Sequence, residues 1–332
     1  MTIATLFSGI GAPEISYPDC LFGCEIDKHA RRTYKENHDT TLYHDVKNFS
    51  AIQYRGAYDC LVWGFPCQDY SIQGKRLGLR GLRGSLFYEG ARIIQESQPP
   101  AFIAENVRGL LSSRKGKDFD TIFNILTQTL GYHVKYKVLN SKDYGVPQSR
   151  PRVFIIGFIN KVHADRFKFP DPIPLKFKVK DILEPNPDPD LIISRAWEKH
   201  VPKARDGTIA IDPDIAVCQL ARQYANWQGT LIRVGVKMDR VQTSTSARVY
   251  STRGIAPTLI TTSGKDQWYP VNESDYTKLR KLSVRECARL QGFPDTFMFP
   301  VSDAQAYKQL GNTMTAPVIA MLLKEVENAL SL

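Results

Sequence analysis

Cysteine is scarce: six among 332 residues, Cys20, Cys24, Cys60, Cys67, Cys218 and Cys287, too few and too scattered for the disulfide framework of a secreted chain. Cys20 and Cys24 form a lone C-x3-C with no second pair and no histidine couple, so no zinc site is expected, nor any other metal. Most of the thiols are expected to be buried packing residues. Long hydrophobic runs are also missing. The longest near the start, Met1 to Pro18, is broken by Ser8, Gly9, Gly11, Pro13 and Glu14 and has no basic leader, so it reads as neither a signal peptide nor a membrane span. The expected location is cytoplasmic, with no membrane partner. There is no internal repeat and no low-complexity stretch.

What is present is the composition of an ordinary globular chain, 42% hydrophobic and 23% charged, long enough for one large and one smaller domain. Forty-four Lys and Arg against thirty-four Asp and Glu give a net charge of +10, which favours a polyanionic partner. Between Tyr70 and Tyr88 lie Lys75, Arg76, Arg80 and Arg83 and no acid; between Cys218 and Lys265 seven basic residues face only Asp239. One such segment is equally a solvated face. Two, one of them beside a Pro-Cys, point to nucleic acid.

Short apolar runs at Ile3–Phe7, Phe22–Ile26, Cys60–Phe65, Ala101–Ala104, Val134–Leu139 and Val153–Phe158 alternate with helical patterns at Lys28–Asn37, Phe87–Glu96 and Asp118–Leu130. Strands buried on both faces and separated by helices predict a parallel α/β sheet covered on each side, with ligands at the carboxyl ends of the strands. Six prolines between Pro170 and Pro189 mark a crossing between domains, and from there to about Tyr276 the weak periodicity suggests a small, irregular, partly β domain. Ser283–Leu290 reads as helical. Val318, Ile319, Leu322, Leu323, Val326 and Leu330 form a core-facing stripe within Ala316–Leu330. The division expected is 1–180 with 278–332 as one domain and 181–277 as the other.

The residues after the strands carry the chemistry. The first strand runs into Ser8-Gly9-Ile10-Gly11, where backbone can approach a ligand closely. Glu25 ends the second strand and could accept from ribose hydroxyls. Glu14 stands where a dinucleotide fold has its third glycine, and no pyrophosphate site is evident, so a nucleoside cofactor fits better. Asp45-Val46 ends the third strand; Asp45 is either a turn cap or a contact to an adenine amino group. The fourth ends Phe65-Pro66-Cys67, a thiol behind a rigid proline and ahead of an arginine-rich segment, where a reactive thiolate is expected. The fifth brings Glu105 to the neighbouring edge, and Arg150 and Arg152 share one side of the next strand by period two. A glutamate near two arginines is commonly only an ion-pair network; convergence with Cys67 favours chemistry.

These segments resemble the ordered motifs of the C5-cytosine-specific DNA methyltransferase family, in small bacterial HhaI-like form. The match runs from Thr5-Leu6-Phe7-Ser8-Gly9-Ile10-Gly11 through Gly64-Phe65-Pro66-Cys67-Gln68, Glu105-Asn106-Val107 and Gln148-Ser149-Arg150-Pro151-Arg152. It continues in Arg285-Glu286-Cys287-Ala288-Arg289, Gln291-Gly292-Phe293-Pro294 and Gln309-Leu310-Gly311-Asn312, covering essentially the whole chain. The resemblance implies a Rossmann-like S-adenosylmethionine-dependent methyltransferase fold with a mostly parallel sheet and a smaller target-recognition domain. It implies a Cys67 thiolate that adds to C6 of a flipped cytosine, Glu105 as proton donor at N3, Arg152 orienting O2 and Glu105, and Arg150 anchoring the site. For the cofactor it implies Phe7, Ser8, Gly9, Ile10, Gly11, Glu25, Ile26, Asp45, Val46, Pro66, Leu86, Asn312 and Thr313. For double-stranded DNA it implies a closing loop from Gln68 to Leu86, with Gln68, Ser71, Gln73, Lys75, Arg76 and Arg83 as contacts and glycines 74, 78, 81 and 84 as hinges. Arg233, Lys237, Arg240, Gln242, Arg248 and Arg253 are candidates in the recognition region. The expected protein is monomeric, with a cognate restriction endonuclease as a conceivable neighbour.

Two departures stand out. Ala12-Pro13-Glu14 follows Gly11 where relatives often have a second small residue, and a proline in a first helical turn is tolerated. Ile26 replaces a frequent aromatic beside the adenine, which predicts weaker cofactor affinity. The rival readings are a tRNA cytosine-5 methyltransferase, whose Cys-Phe-Thr signature is missing, and an inactive DNA-binding relative, which the presence of Cys67, Glu105 and Arg152 disfavours. A nicotinamide dehydrogenase lacks its third glycine, and a zinc deaminase lacks its Pro-Cys-x-x-Cys ligands.

Overall fold

The computed structural model describes residues 1–66, 85–186, 188–189, 192–193, 248–249, 256–257, 267–272 and 275–331. Its central sheet has seven strands: β1 (Ile3–Leu6), β2 (Cys20–Cys24), β3 (Leu42–Tyr43), β4 (Cys60–Gly64), β5 (Ala101–Val107), β6 (His133–Asn140) and, after the short β7 (Gln148–Ser149), β8 (Pro151–Phe158). The order is β3-β2-β1-β4-β5-β8-β6. The first five strands are parallel, and β8 runs antiparallel to both β5 and β6. The apolar runs foretell the strands but not this reversal, because a strand buried on both faces is hydrophobic whichever way it points.

Alternation along the strands splits the core in two. Ala4, Leu6, Leu61, Trp63, Phe102 and Ala104 face one side, packed with Phe87, Ile93 and Ile94 of α2 (Ser85–Ser97) and with Phe119 and Ile122 of α3 (Lys117–Asn124). Ile3, Cys60, Val62, Ala101 and Ile103 face the other, packed near α4 (Lys161–Arg166) and against the C-terminal helix. The expected helix over Lys28–Asn37 is α1; the side chain of Asp27 caps it, accepting from the backbone N–H of His29 and Ala30. Ser283 and Glu286 form a capping box on α5 (Val284–Leu290). The helix expected over Asp118–Leu130 instead ends at Asn124 and continues as a π-helical turn, Ile125–Thr129. A further helix, α6 (Asp303–Asn312), lies outside the helical patterns read from the sequence. In α7 (Ala316–Leu330) the stripe Val318, Ile319, Leu322, Leu323 and Val326 is fully buried, roughly 1.5–3 kcal/mol of apolar burial per large side chain before ordering costs.

Within residues 192–281 a second sheet forms from β10 (Arg248–Val249), β12 (Gln267–Asn272), β13 (Asp275–Lys281) and β9 (Ile192–Ile193), in that order. The strand β11 (Ala256–Pro257) pairs with β7. Among the described residues no helix is long and apolar enough to cross a membrane. Cys20, Cys24, Cys60 and Cys287 are free and buried, and burial raises each thiol pKa, that of Cys24 to about 12, so these four are packing residues. Cys67 and Cys218 lie outside the described residues.

Candidate active site

A cavity of about 610 Å³ opens at the carboxyl ends of β1, β2, β4 and β5. The chain leaves β1 through Phe7, which takes φ +54°, followed by Gly9 at +58° and Gly11 at +83°. This left-handed sequence folds the loop back so that Gly9 N–H donates to Glu25 Oε2 at 2.9 Å. Asp27 N–H holds the other carboxylate oxygen, Oε1, at 2.7 Å. Glu25 is therefore fixed at the end of β2. Burial raises its pKa, partly offset by these N–H donors. Gly11 has a second constraint, since a Cβ there would sit 2.2 Å from His38 Nε2.

Glu14 explains the missing third glycine. It is 2% exposed, and its Oε1 accepts from Thr5 Oγ1 and Tyr34 OH, each at 2.8 Å. The carboxylate braces the turn from behind, and Pro13 opens the short 3-10 turn Pro13–Ile15 that carries it.

At the other end of the cavity stands Glu105. Register pairs it with Gly64 on β4, and pairs Val107 with Arg152 on β8, so Glu105 and Arg152 are diagonal neighbours on one sheet face. Arg152 Nε lies 3.1 Å from Glu105 Oε1. Gly64 leaves the space above the carboxylate open: a Cβ there would lie 3.5 Å from Glu105 Oε2 and 3.0 Å from Met314 Cε. Burial raises the Glu105 pKa, and the guanidinium groups of Arg152 and Arg150 oppose the rise without cancelling it. A carboxyl in this position holds its proton more tightly than an exposed glutamate does.

Arg150 is placed differently from Arg152. It precedes β8, is 2% exposed, and its Nη2 donates to the carbonyls of Gly311 at 3.1 Å and Thr313 at 2.8 Å. It fastens the loop between α6 and α7 to the sheet while still lining the cavity. Asn106 was not singled out from sequence. It is 1% exposed and its Nδ2 donates to the Phe65 carbonyl at 3.0 Å, holding the chain at Phe65-Pro66 just before Cys67. Its place in Glu-Asn-Val is the only signal that could have found it.

Of the residues expected around a nucleoside cofactor, Phe7, Ser8, Gly9, Glu25, Ile26, Asp45, Val46, Pro66, Leu86, Asn312 and Thr313 all line this cavity. Ile10 and Gly11 are not among the lining residues: Ile10 is buried in the core formed with Ala12, Ala30 and Leu310, and the space beside Gly11 is filled by the His38 ring. Lys308, Gln309 and Met314 line it unanticipated. Cys67 lies outside the described residues, as do Gln68, Ser71, Gln73, Lys75, Arg76, Arg83, Arg233, Lys237, Arg240, Gln242 and Arg253; Arg248 is described only as backbone, paired with Gln267.

Fold and cavity together define an α/β Rossmann-like protein of methyltransferase architecture. A structure of Entamoeba histolytica methyltransferase EhMeth superposes with a TM-score of 0.71 at 18% identity, covering 100% of this chain and 99% of that one. The family model for C-5 cytosine-specific DNA methylase matches residues 1–328. The type II methyltransferase M.DsaV of Dactylococcopsis salina is 36% identical over 97% of this chain and 84% of its own length. The type II methyltransferase M.HhaI of Haemophilus parahaemolyticus is 33% identical over 98% and 94%. The chain belongs to the C-5 cytosine-specific DNA methylase family and is an enzyme of that class.

Proposed function

We propose that this enzyme methylates carbon 5 of a cytosine flipped out of double-stranded DNA, using S-adenosylmethionine and a covalent Cys67 adduct, in a restriction-modification or phage-protection setting. The observation that carries the reading is Glu105: a carboxyl with a burial-raised pKa, oriented by Arg152, in the same cavity as Pro66, the residue before Cys67.

C5 of an intact pyrimidine is too weak a nucleophile to accept a methyl group. Attack of the Cys67 thiolate on C6 forms the S–C6 bond and moves the ring π electrons onto C5, while Glu105 gives its proton to N3. Arg152, paired with Glu105, orients the carboxyl and the cytosine O2. When bound, S-adenosylmethionine supplies the electrophilic methyl group on its sulfonium. Loss of the C5 proton to a base then re-forms the C5–C6 double bond and expels the thiolate, and N3 returns its proton to Glu105. Flipping costs a few kcal/mol, offset by pocket and phosphate contacts.

The donor set fits the cofactor. Apolar walls from Phe7, Ile26, Val46 and Leu86 suit an adenine, and Glu25 is held where it can accept from ribose hydroxyls. Asp45 lines the cavity where it would meet the adenine amino group, and its Oδ1 accepts from Lys47 N–H, capping the turn. Residues 1–180 and 278–332 form the catalytic domain and 181–277 the recognition domain in this reading. The exposed cations Arg108, Arg114, Lys115 and Lys117, on the segment after β5, add to the net charge of +10 in favour of DNA.

Bisulfite sequencing of DNA from cells expressing the protein, beside Cys67→Ala, tests the proposal. Cytosines protected in a fixed context only by the intact protein are expected. Unmodified DNA alongside methylated tRNA would overturn it.

A further inference from the structure

The cavity has a nucleoside end and a base end, and the transferred group has to pass between them. Glu25 follows β2, Phe7 follows β1 and Glu105 lies near the end of β5, while β4 stands between β1 and β5 in the sheet. A group moving from cofactor to cytosine therefore crosses the carboxyl end of β4. Gly64 ends that strand and offers no side chain there. Facing it is Met314. A Cβ on Gly64 would lie 3.0 Å from Met314 Cε and 3.5 Å from Glu105 Oε2, so the thioether methyl and the carboxyl border the space of one missing side chain. Met314 lines the cavity and is half-buried.

The side chain is not free to swing aside. Its loop, between α6 and α7, is fixed on both flanks: Arg150 Nη2 donates to the Thr313 carbonyl at 2.8 Å, and Ala316 N–H donates to the Gln291 carbonyl at 2.9 Å. Met314 packs against the core around Ile10 and Leu310 and also against the one around Val62 and Val318. Rotation out of the cavity would forfeit that apolar contact.

A methyl group carries no further carbon, and any larger alkyl group does. In displacement at a sulfonium, C5 approaches the carbon in line with the departing sulfur; the C5–C bond forms as the C–S electron pair returns to sulfur. A substituent on that carbon has to project sideways from this line. Over β4 the sideways space is occupied by Met314 Cε. We infer that Met314 is a specificity-determining residue that restricts the transferred group to methyl. Met314→Ala, which removes Cγ, Sδ and Cε, opens room for the vinyl unit of an allyl group. The inference rests on the cofactor and base ends of the cavity proposed above.

The test reads binding and transfer separately. Calorimetric binding of S-adenosylmethionine and of its S-allyl analogue to the full chain, without DNA, is compared among the parent, Met314→Ala and Met314→Leu. The parent is expected to prefer the methyl compound by roughly 10- to 200-fold, the range for a methylene-sized misfit in an apolar pocket. Met314→Ala should reduce this preference by about 10-fold or more, and Met314→Leu, of similar volume, should keep it. With duplex DNA added, mass spectrometry of the hydrolysed DNA should show allylated cytosine from Met314→Ala above the level from the parent. Met314→Val, with an intermediate loss of preference, takes the place of Met314→Ala if the latter melts markedly below the parent. A parent without preference, a preference unchanged in Met314→Ala, one lost equally in Met314→Leu, or no gain in allyl transfer would each overturn the inference. A parent that binds neither compound removes the cofactor reading itself, a result distinct from a parent that binds and a variant whose preference does not change.

Discussion

Replacing Glu105 by Gln isolates the proton from the shape. The amide keeps an oxygen that can accept from Arg152 Nε, now at 3.1 Å, and the strand pairings of β5 with β4 and β8 are backbone contacts that the change leaves intact. The variant should therefore fold. What it loses is the acid that protonates N3, and a positioned general acid contributes typically 100-fold or more, about 2.7 kcal/mol of barrier. Single-turnover transfer of labelled methyl to duplex DNA should slow by at least that factor. The pH dependence gives a second signature. Burial lifts the Glu105 pKa above its ordinary 4.5, so the parent rate should fall as pH rises through the elevated value and the acid is lost; Glu105→Gln should lack this limb. Stability follows the same sign. A folded-state pKa above the unfolded one stabilises the parent fully below about 4.5 and loses that contribution as pH rises through the folded value. The melting temperature of Glu105→Gln relative to the parent should accordingly increase from acid to neutral pH. Near-normal turnover in a folded variant would refute the role assigned to Glu105.

Arg150→Met should act on structure more than on chemistry. It strips two charged donors from the Gly311 and Thr313 carbonyls, each bond worth roughly 1.5–3 kcal/mol, and a thermal melt should fall by several degrees with cofactor affinity reduced through the loosened loop. Asn106→Ala frees the Phe65 carbonyl, which is expected to lower kcat by about 10-fold or more while leaving S-adenosylhomocysteine binding within about 3-fold, because a small misplacement of the nucleophile is costly to rate. Parallel losses in kcat and binding would assign Asn106 to the cofactor pocket instead.

The sequence by itself determined the alternation of strands and helices, the stop of α1 and the stripe of α7, since these rest on local periodicity, capping and turn chemistry. It also marked Glu25, Cys67, Glu105 and Arg152 as candidates, because short motifs at strand ends carry their own chemical logic. It could not decide the direction of β8, whose apolar run reads alike in either sense. Period two places Arg150 and Arg152 on one side, and their different roles are implied only by the family resemblance. The tertiary structure separated them: Arg152 meets Glu105 across one strand pair, whereas Arg150 reaches carbonyls 161 and 163 residues away. Ile10 lies in the glycine loop with its side chain in the core, because packing against Ala12, Ala30 and Leu310 determines which side of the loop faces inward. The buried amide of Gln309 accepts from the hydroxyl of Thr33, 276 residues earlier in the chain. Contacts over such separations come from how helices pack on the sheet, and no local pattern encodes them.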